Sequence, residues 1–145
     1  MKTDEEEAEV FMQVSINLFG DFLNPQLVDD ALGVAATKSW RKGDKFTGRG
    51  SEIIRKTGLW SYRMRRNTKD LTVLVDDFFG KLPMRTDLRK AIPNVEAVRI
   101  SIFVSSRLDD RNSSSRSLNF SAEQIQIMAR SGVELAVDVT SGTEG

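Results

Sequence analysis

The strongest constraint on the fold is a period of two. Val10, Met12, Val14, Ile16 and Leu18 alternate with Phe11, Gln13, Ser15, Asn17 and Phe19, and side chains two apart on a strand share a face. Val98, Ile100, Ile102 and Val104 repeat the pattern, with Arg99, Ser101 and Phe103 on the other side, and Val133, Leu135, Val137 and Val139 repeat it near the end of the chain. A strand with one strongly apolar face needs a covering layer on that face only.

The segments between these strands can supply that layer. Asn24 is a good N-cap before Pro25; Leu27, Val28, Ala31 and Leu32 fall at helical spacing and Gly33 stops the run, which predicts a helix over Pro25 to Leu32. Asn67-Thr68 offers a cap for a second helix, whose Leu71, Leu74, Val75, Phe78 and Leu82 form a stripe ended by Gly80 and Pro83. A helical turn is expected from Asp87 to Ala91. Ser121 with Gln124 makes a capping box for a helix that buries Ile125, Met128 and Ala129 and closes at Gly132.

Residues 52–65 read as one bulged strand or as two strands joined at Thr57-Gly58, with Trp60, Tyr62 and Met64 alternating with Leu59, Ser61, Arg63 and Arg65. Residues 34–51 have no usable period and are expected to be irregular. The serine-rich residues 105–117 are expected to be a mobile connection, and residues 1–8 and 141–145 to be disordered. Helices alternating with one-faced strands predict an α+β two-layer sandwich. Its sheet is four- or five-stranded, mixed or antiparallel, with about three helices on one face. If residues 52–65 form a hairpin, the order is ferredoxin-like with an added helix and strand. A chain of 145 residues fits a single domain spanning 1–145, with an ordered core over about 10–140.

Composition narrows the chemistry. The chain contains no cysteine and no histidine, which excludes thiolate metal sites, disulfides, Ser-His-Asp triads and Cys-His nucleophiles. Asp76-Asp77 and Asp109-Asp110 suggest cation binding, but adjacent helical residues point about 100° apart, and the second pair lacks the spacing of a calcium loop. Neither metal nor cofactor is assigned. "GDKFTGRG" lacks the Gly-Lys-Ser/Thr end of a phosphate-binding loop. The acidic start, with no apolar run of signal-peptide or membrane-span length, leads to the expectation of a soluble cytoplasmic protein without a membrane partner.

The net charge is zero, with 21 basic and 21 acidic residues, yet it is segregated. Residues 38–66 hold ten basic side chains against Asp44 and Glu52, a local net of +8, whereas residues 1–30 hold Lys2 against eight acids, a net of −7. Within the basic segment Trp40 lies beside Arg41 and Lys42, and Trp60 lies near Arg63 and Arg65. Cations interleaved with aromatics suit stacked bases or phosphate-bearing ligands; buried tryptophans with a solvated cationic rim fit the same pattern. Asp138, opposite Val137 and Val139, is a candidate carboxylate near Asn17 or Arg99 if their strands are neighbours. It could serve as a base in a small pocket or as a cross-strand ion-pair partner.

"LGVAATKSWRKGD", "GLWSYR", "LTVLVDDFFGKL" and "FSAEQIQIMARSGVELAVDV", in that order over about residues 10–140, resemble the bacterial domain of unknown function 4279 family. Leu32-Gly33, Thr37, Gly43, Trp60 and Asp138 stand at that family's marks, and Ala36 replaces its usual proline. The resemblance implies no agreed active site; small bacterial families of this kind include immunity and accessory proteins.

The functional expectation is a non-catalytic bacterial factor that binds a protein, with Trp40, Arg41, Lys42, Trp60, Arg63, Arg65 and Asp138 as candidate binding residues. The alternatives are nucleic-acid or phosphate-ligand binding through residues 37–66, and a small enzyme with a carboxylate and arginine pocket.

Overall fold

The computed structural model describes residues 10–67, 70–106 and 118–141. Among them the order is β1 (Val10–Gly20), α1 (Pro25–Leu32), β2 (Lys38–Trp40), β3 (Lys45–Gly48), β4 (Ser51–Ile54), β5 (Gly58–Arg66), α2 (Leu71–Lys81), α3 (Leu88–Ala91), β6 (Ala97–Ser106), α4 (Ala122–Ser131) and β7 (Glu134–Ser141). Five strands form one mixed sheet in the order β2-β5-β1-β6-β7, and β3 and β4 form a separate hairpin. Only the β6–β7 pair is parallel. It needs a crossover, which α4 supplies. The expected α+β sandwich with a five-stranded mixed sheet is therefore the fold.

The alternation sorts the sheet into two faces. Met12, Val14, Ile16 and Leu18 of β1 lie in register with Val104, Ile102, Ile100 and Val98 of β6, and all eight are buried. The helices close this face with Val28, Leu32, Leu71, Leu74, Val75, Phe78 and Leu88. Asn24 caps α1 through its side chain and Gly33 ends it in the left-handed region at φ 74°, as the sequence predicts. β7 is an edge strand, and Leu135, Val137 and Val139 on its apolar side remain 43%, 40% and 63% exposed.

Several expectations change. Residues 34–51 are not irregular: they hold β2 and most of the β3–β4 hairpin. Arg49 (φ 53°) and Gly50 (φ 78°) form a two-residue turn with both φ positive, the geometry that matches strand twist in a tight hairpin. Residues 52–65 are two strands, but β4 pairs with β3 rather than with β5, so the hairpin that a ferredoxin-like order requires does not form.

The cap of α2 is Asp70, whose side chain accepts from the Val73 amide, rather than Asn67-Thr68. In α4 the buried face is Gln124, Met128 and Ser131, while Ile125 is 54% exposed. The Gln124 amide explains that rotation: it donates to Thr72 O at 3.1 Å and Asp76 Oδ1 at 2.8 Å and accepts from the Ser121 amide at 2.9 Å. A fully bonded amide tolerates burial. Strand β6 takes in residues 105 and 106 of the expected connection. The expectations for residues 1–8, for 107–117 with Asp109-Asp110, and for 142–145 lie outside the described residues.

Candidate binding face

The polar side of the sheet carries most of the side chains singled out from the sequence. In β5, Leu59, Ser61, Arg63 and Arg65 share one face by parity, and register carries that face across the sheet. Lys38 of β2 lies opposite Ser61 and Trp40 opposite Leu59. Asn17, Ser15 and Gln13 lie opposite Ser61, Arg63 and Arg65, and then Arg99, Ser101 and Phe103 on β6. Glu134, Ala136 and Asp138 complete the rows on β7.

The centre of this face is small and polar. Ser15 and Ser61 are only 8% and 4% exposed, and the longer side chains of the margins rise around them. Along the β2/β5 margin run Trp40, Lys38, Arg63 and Arg65. With alternate residues about 6.8 Å apart on a strand, the four rows cover roughly 20 Å. Glu134 and Asp138 stand on the β7 margin, three strand spacings or about 14 Å from β5. Arg99 is held by Glu134, Nε to Oε1 3.2 Å. The face thus carries Lys38, Arg63 and Arg65 at one edge and, toward the other, the Arg99–Glu134 ion pair with Asp138, a net of −1.

Trp40 is half-buried and fixed rather than free. Its indole N–H donates to Thr57 O at 3.0 Å, and the Arg55 guanidinium lies 3.4 Å from its ring centre and 3.7 Å from that of Phe46. A cation between two aromatic faces ties β2 to the hairpin. Backbone bonds complete that tie, from Gly43 N to Arg55 O and from Arg55 N to Asp44 O, both 2.8 Å. Arg41 and Lys42 point instead to the turn before α1, where Arg41 donates to Asn24 Oδ1 at 2.8 Å and Lys42 lies 3.6 Å from Asp21. Phe22 in that turn is 76% exposed.

Trp60 is a correction. Its side chain is fully buried on the helix-covered face, stacked near Tyr62, and its indole N–H donates to Asp29 Oδ1 at 2.7 Å. No ligand can stack on it. Asp138 lies opposite Phe103, and the partner of Arg99 is Glu134, two rows removed from the expected pairing. Sequence reasoning missed Arg55, Phe46 and Glu134. The alternation of 134, 136 and 138 could have revealed Glu134, but nothing local signals that Arg55 folds back over Trp40.

The marks noted in the sequence have geometric roles. Gly33 and Gly43 occupy positive φ. Thr37 continues the β2 edge, its amide donating to Ser61 O at 2.7 Å and its hydroxyl accepting from the Arg63 amide at 2.9 Å. Ala36 uses an N–H that proline lacks, donating to Asp29 Oδ1 at 3.3 Å.

No helix among the described residues is long and apolar enough to cross a membrane. No curated protein and no solved structure matches the chain. One family model does, over residues 8–142, nearly the whole length. The chain belongs to the domain of unknown function family DUF4279.

Proposed function

We propose that this protein is a non-catalytic binding factor that takes a protein partner on the open face of its sheet, as an immunity or accessory factor of the bacterial cytoplasm does. The observation that carries the reading is the division of charge across that face. Lys38, Arg63 and Arg65 at one margin and Glu134 and Asp138 at the other fit a surface that itself presents both signs, since complementary charge steers encounter and fixes register. A polyphosphate meets the cations favourably but is repelled at the far margin by Asp138, since Glu134 is already paired with Arg99. The burial of Trp60 removes one of the two stacking platforms that binding of single strands would use.

The test is capture of tagged protein from its native lysate with and without nuclease, using wild type, the pair Arg63→Glu/Arg65→Glu, and the pair Glu134→Lys/Asp138→Lys. The expected result is a stoichiometric protein that survives nuclease and is lost from both reversed variants. Retention by both variants, or co-purification of nucleic acid that vanishes with nuclease, overturns the reading.

Nucleic-acid or phosphate-ligand binding is the second reading. It is favoured by Trp40, Lys38, Arg63 and Arg65 forming one continuous stripe. Under that reading affinity for a single-stranded oligonucleotide falls steeply between 50 and 200 mM salt, as counterion release requires.

A further inference from the structure

A second site lies on the helical side of the molecule, away from the open face. The end of α2, the segment that follows it and the last turn of α4 line an open pocket of about 530 Å³, within the size range of small-molecule sites. The half-buried Phe79 and Ile127 and the exposed Pro83 line it, over a floor of Leu82 and Met84 that are only 4% and 3% exposed. Lys81, Arg85 and Arg130 also line it, and among the described residues no acidic side chain does.

Two features bear on what it could hold. Among the described residues, none of the three cations has an ion pair or a side-chain hydrogen bond, so no described group offsets their three positive charges. Gly80 also lines the pocket, and a Cβ built on it would meet no atom within 4 Å. A glycine in the last turn of a helix, where most residues favour the helix more strongly, leaves the wall open. The C-terminal end of α2 opposes an anion, but its dipole is equivalent to roughly half a charge, against three formal positive charges.

We infer that this pocket binds a small anionic amphiphile: a carboxylate or phosphate head held by Lys81, Arg85 and Arg130, with a short apolar body against Phe79, Pro83 and Ile127. Arginine suits such heads because its planar fork donates two parallel hydrogen bonds. The site is independent of the open-face reading and stands or falls separately.

The experiment is an amide NMR titration of the full chain with octanoate and octyl phosphate, and with octanol, octyltrimethylammonium and inorganic phosphate as comparisons. The expected result is saturable binding of both anionic amphiphiles, with shifts confined to residues 79–85 and 127–130. Octanol and inorganic phosphate each bind at least tenfold more weakly, and octyltrimethylammonium does not bind. Arg85→Gln/Arg130→Gln weakens octanoate at least tenfold. Gly80→Leu, which removes a helical glycine and so retains the fold, blocks binding by filling the pocket. Octanol binding as tightly as octanoate, shifts centred elsewhere, or unchanged affinity in either variant overturns the inference.

Discussion

Replacing Trp60 by phenylalanine tests whether this residue is structural rather than a ligand platform. The indole is fully buried, and its N–H meets Asp29 Oδ1 at 2.7 Å, an atom that also accepts from the Ala36 amide at 3.3 Å. The substitution removes a hydrogen bond to a charged acceptor, about 1.5–3 kcal/mol. It also leaves a void where the second ring packed, adding about 1–2 kcal/mol. The expected loss is about 3–4 kcal/mol, a large part of the ~5–15 kcal/mol stability of a domain. At this chain length it lowers Tm by roughly 10 °C.

Urea denaturation of wild type, Trp60→Phe, Asp29→Ala and the double variant gives the coupling directly. The expected interaction energy is about 1–2 kcal/mol, with Cm falling and the slope m unchanged. A Trp60→Phe variant within about 0.5 kcal/mol of wild type, the range of ordinary surface substitutions, refutes the reasoning. Equal costs of Asp29→Ala in both backgrounds refute the pairing.

Four further outcomes follow from named contacts. Gly132→Ala costs more than Gly33→Ala in urea denaturation: both sit at φ near +70°, but only at Gly132 does a new Cβ come within 2.6 Å of the Asp87 carboxylate, so about 1–2 kcal/mol of backbone strain is joined by a clash. Arg55→Ala removes the cation between Trp40 and Phe46, worth about 1–2 kcal/mol, and hydrogen exchange quickens at the amides of Gly43 and Arg55 before it does in β1. Ser131→Ala leaves stability equal or up to about 1 kcal/mol higher by the same denaturation assay, because among the described residues its buried hydroxyl has no hydrogen-bond partner and carries a desolvation cost. The Arg89 side chain, hydrogen-bonded to Asp87, holds that carboxyl below its usual 3.8; the stability this gives is present above pH 3.8 and disappears as pH falls through the lowered value, so the difference in Cm between wild type and Asp87→Asn shrinks to zero in acid.

How far the sequence reveals this structure depends on how local each cause is. Parity alone sorts β1, β5, β6 and β7 into a covered and an open face, because a one-residue slip would expose Val14 and Ile16. The ends of α1 are equally legible, since Asn24 and Gly33 act within a few residues of themselves. The buried face of α4 is not: Gln124 looks like a surface residue until Thr72 O and Asp76, some fifty positions away, supply its partners. The β3–β4 hairpin escapes detection for a different reason. All four residues of β4 are exposed, so no apolar period marks them, and its turn uses Arg49-Gly50 in place of the more familiar Asn-Gly. Of the candidate site, Arg63 and Arg65 share a face by parity, whereas the placement of Trp40 beside them and of Glu134 and Asp138 opposite them depends on the strand order β2-β5-β1-β6-β7. That order is fixed by long crossovers, not by any local pattern.

Site-specific photo-crosslinking tests the central claim most directly. A photoreactive residue replaces Arg63 on the open face, and in a parallel sample Val73, which is 52% exposed on the opposite, helical side; both are irradiated in the native cell. The account predicts one nuclease-resistant protein adduct from position 63 and none from position 73. Adducts to nucleic acid at position 63, or a protein adduct from position 73 alone, would contradict it.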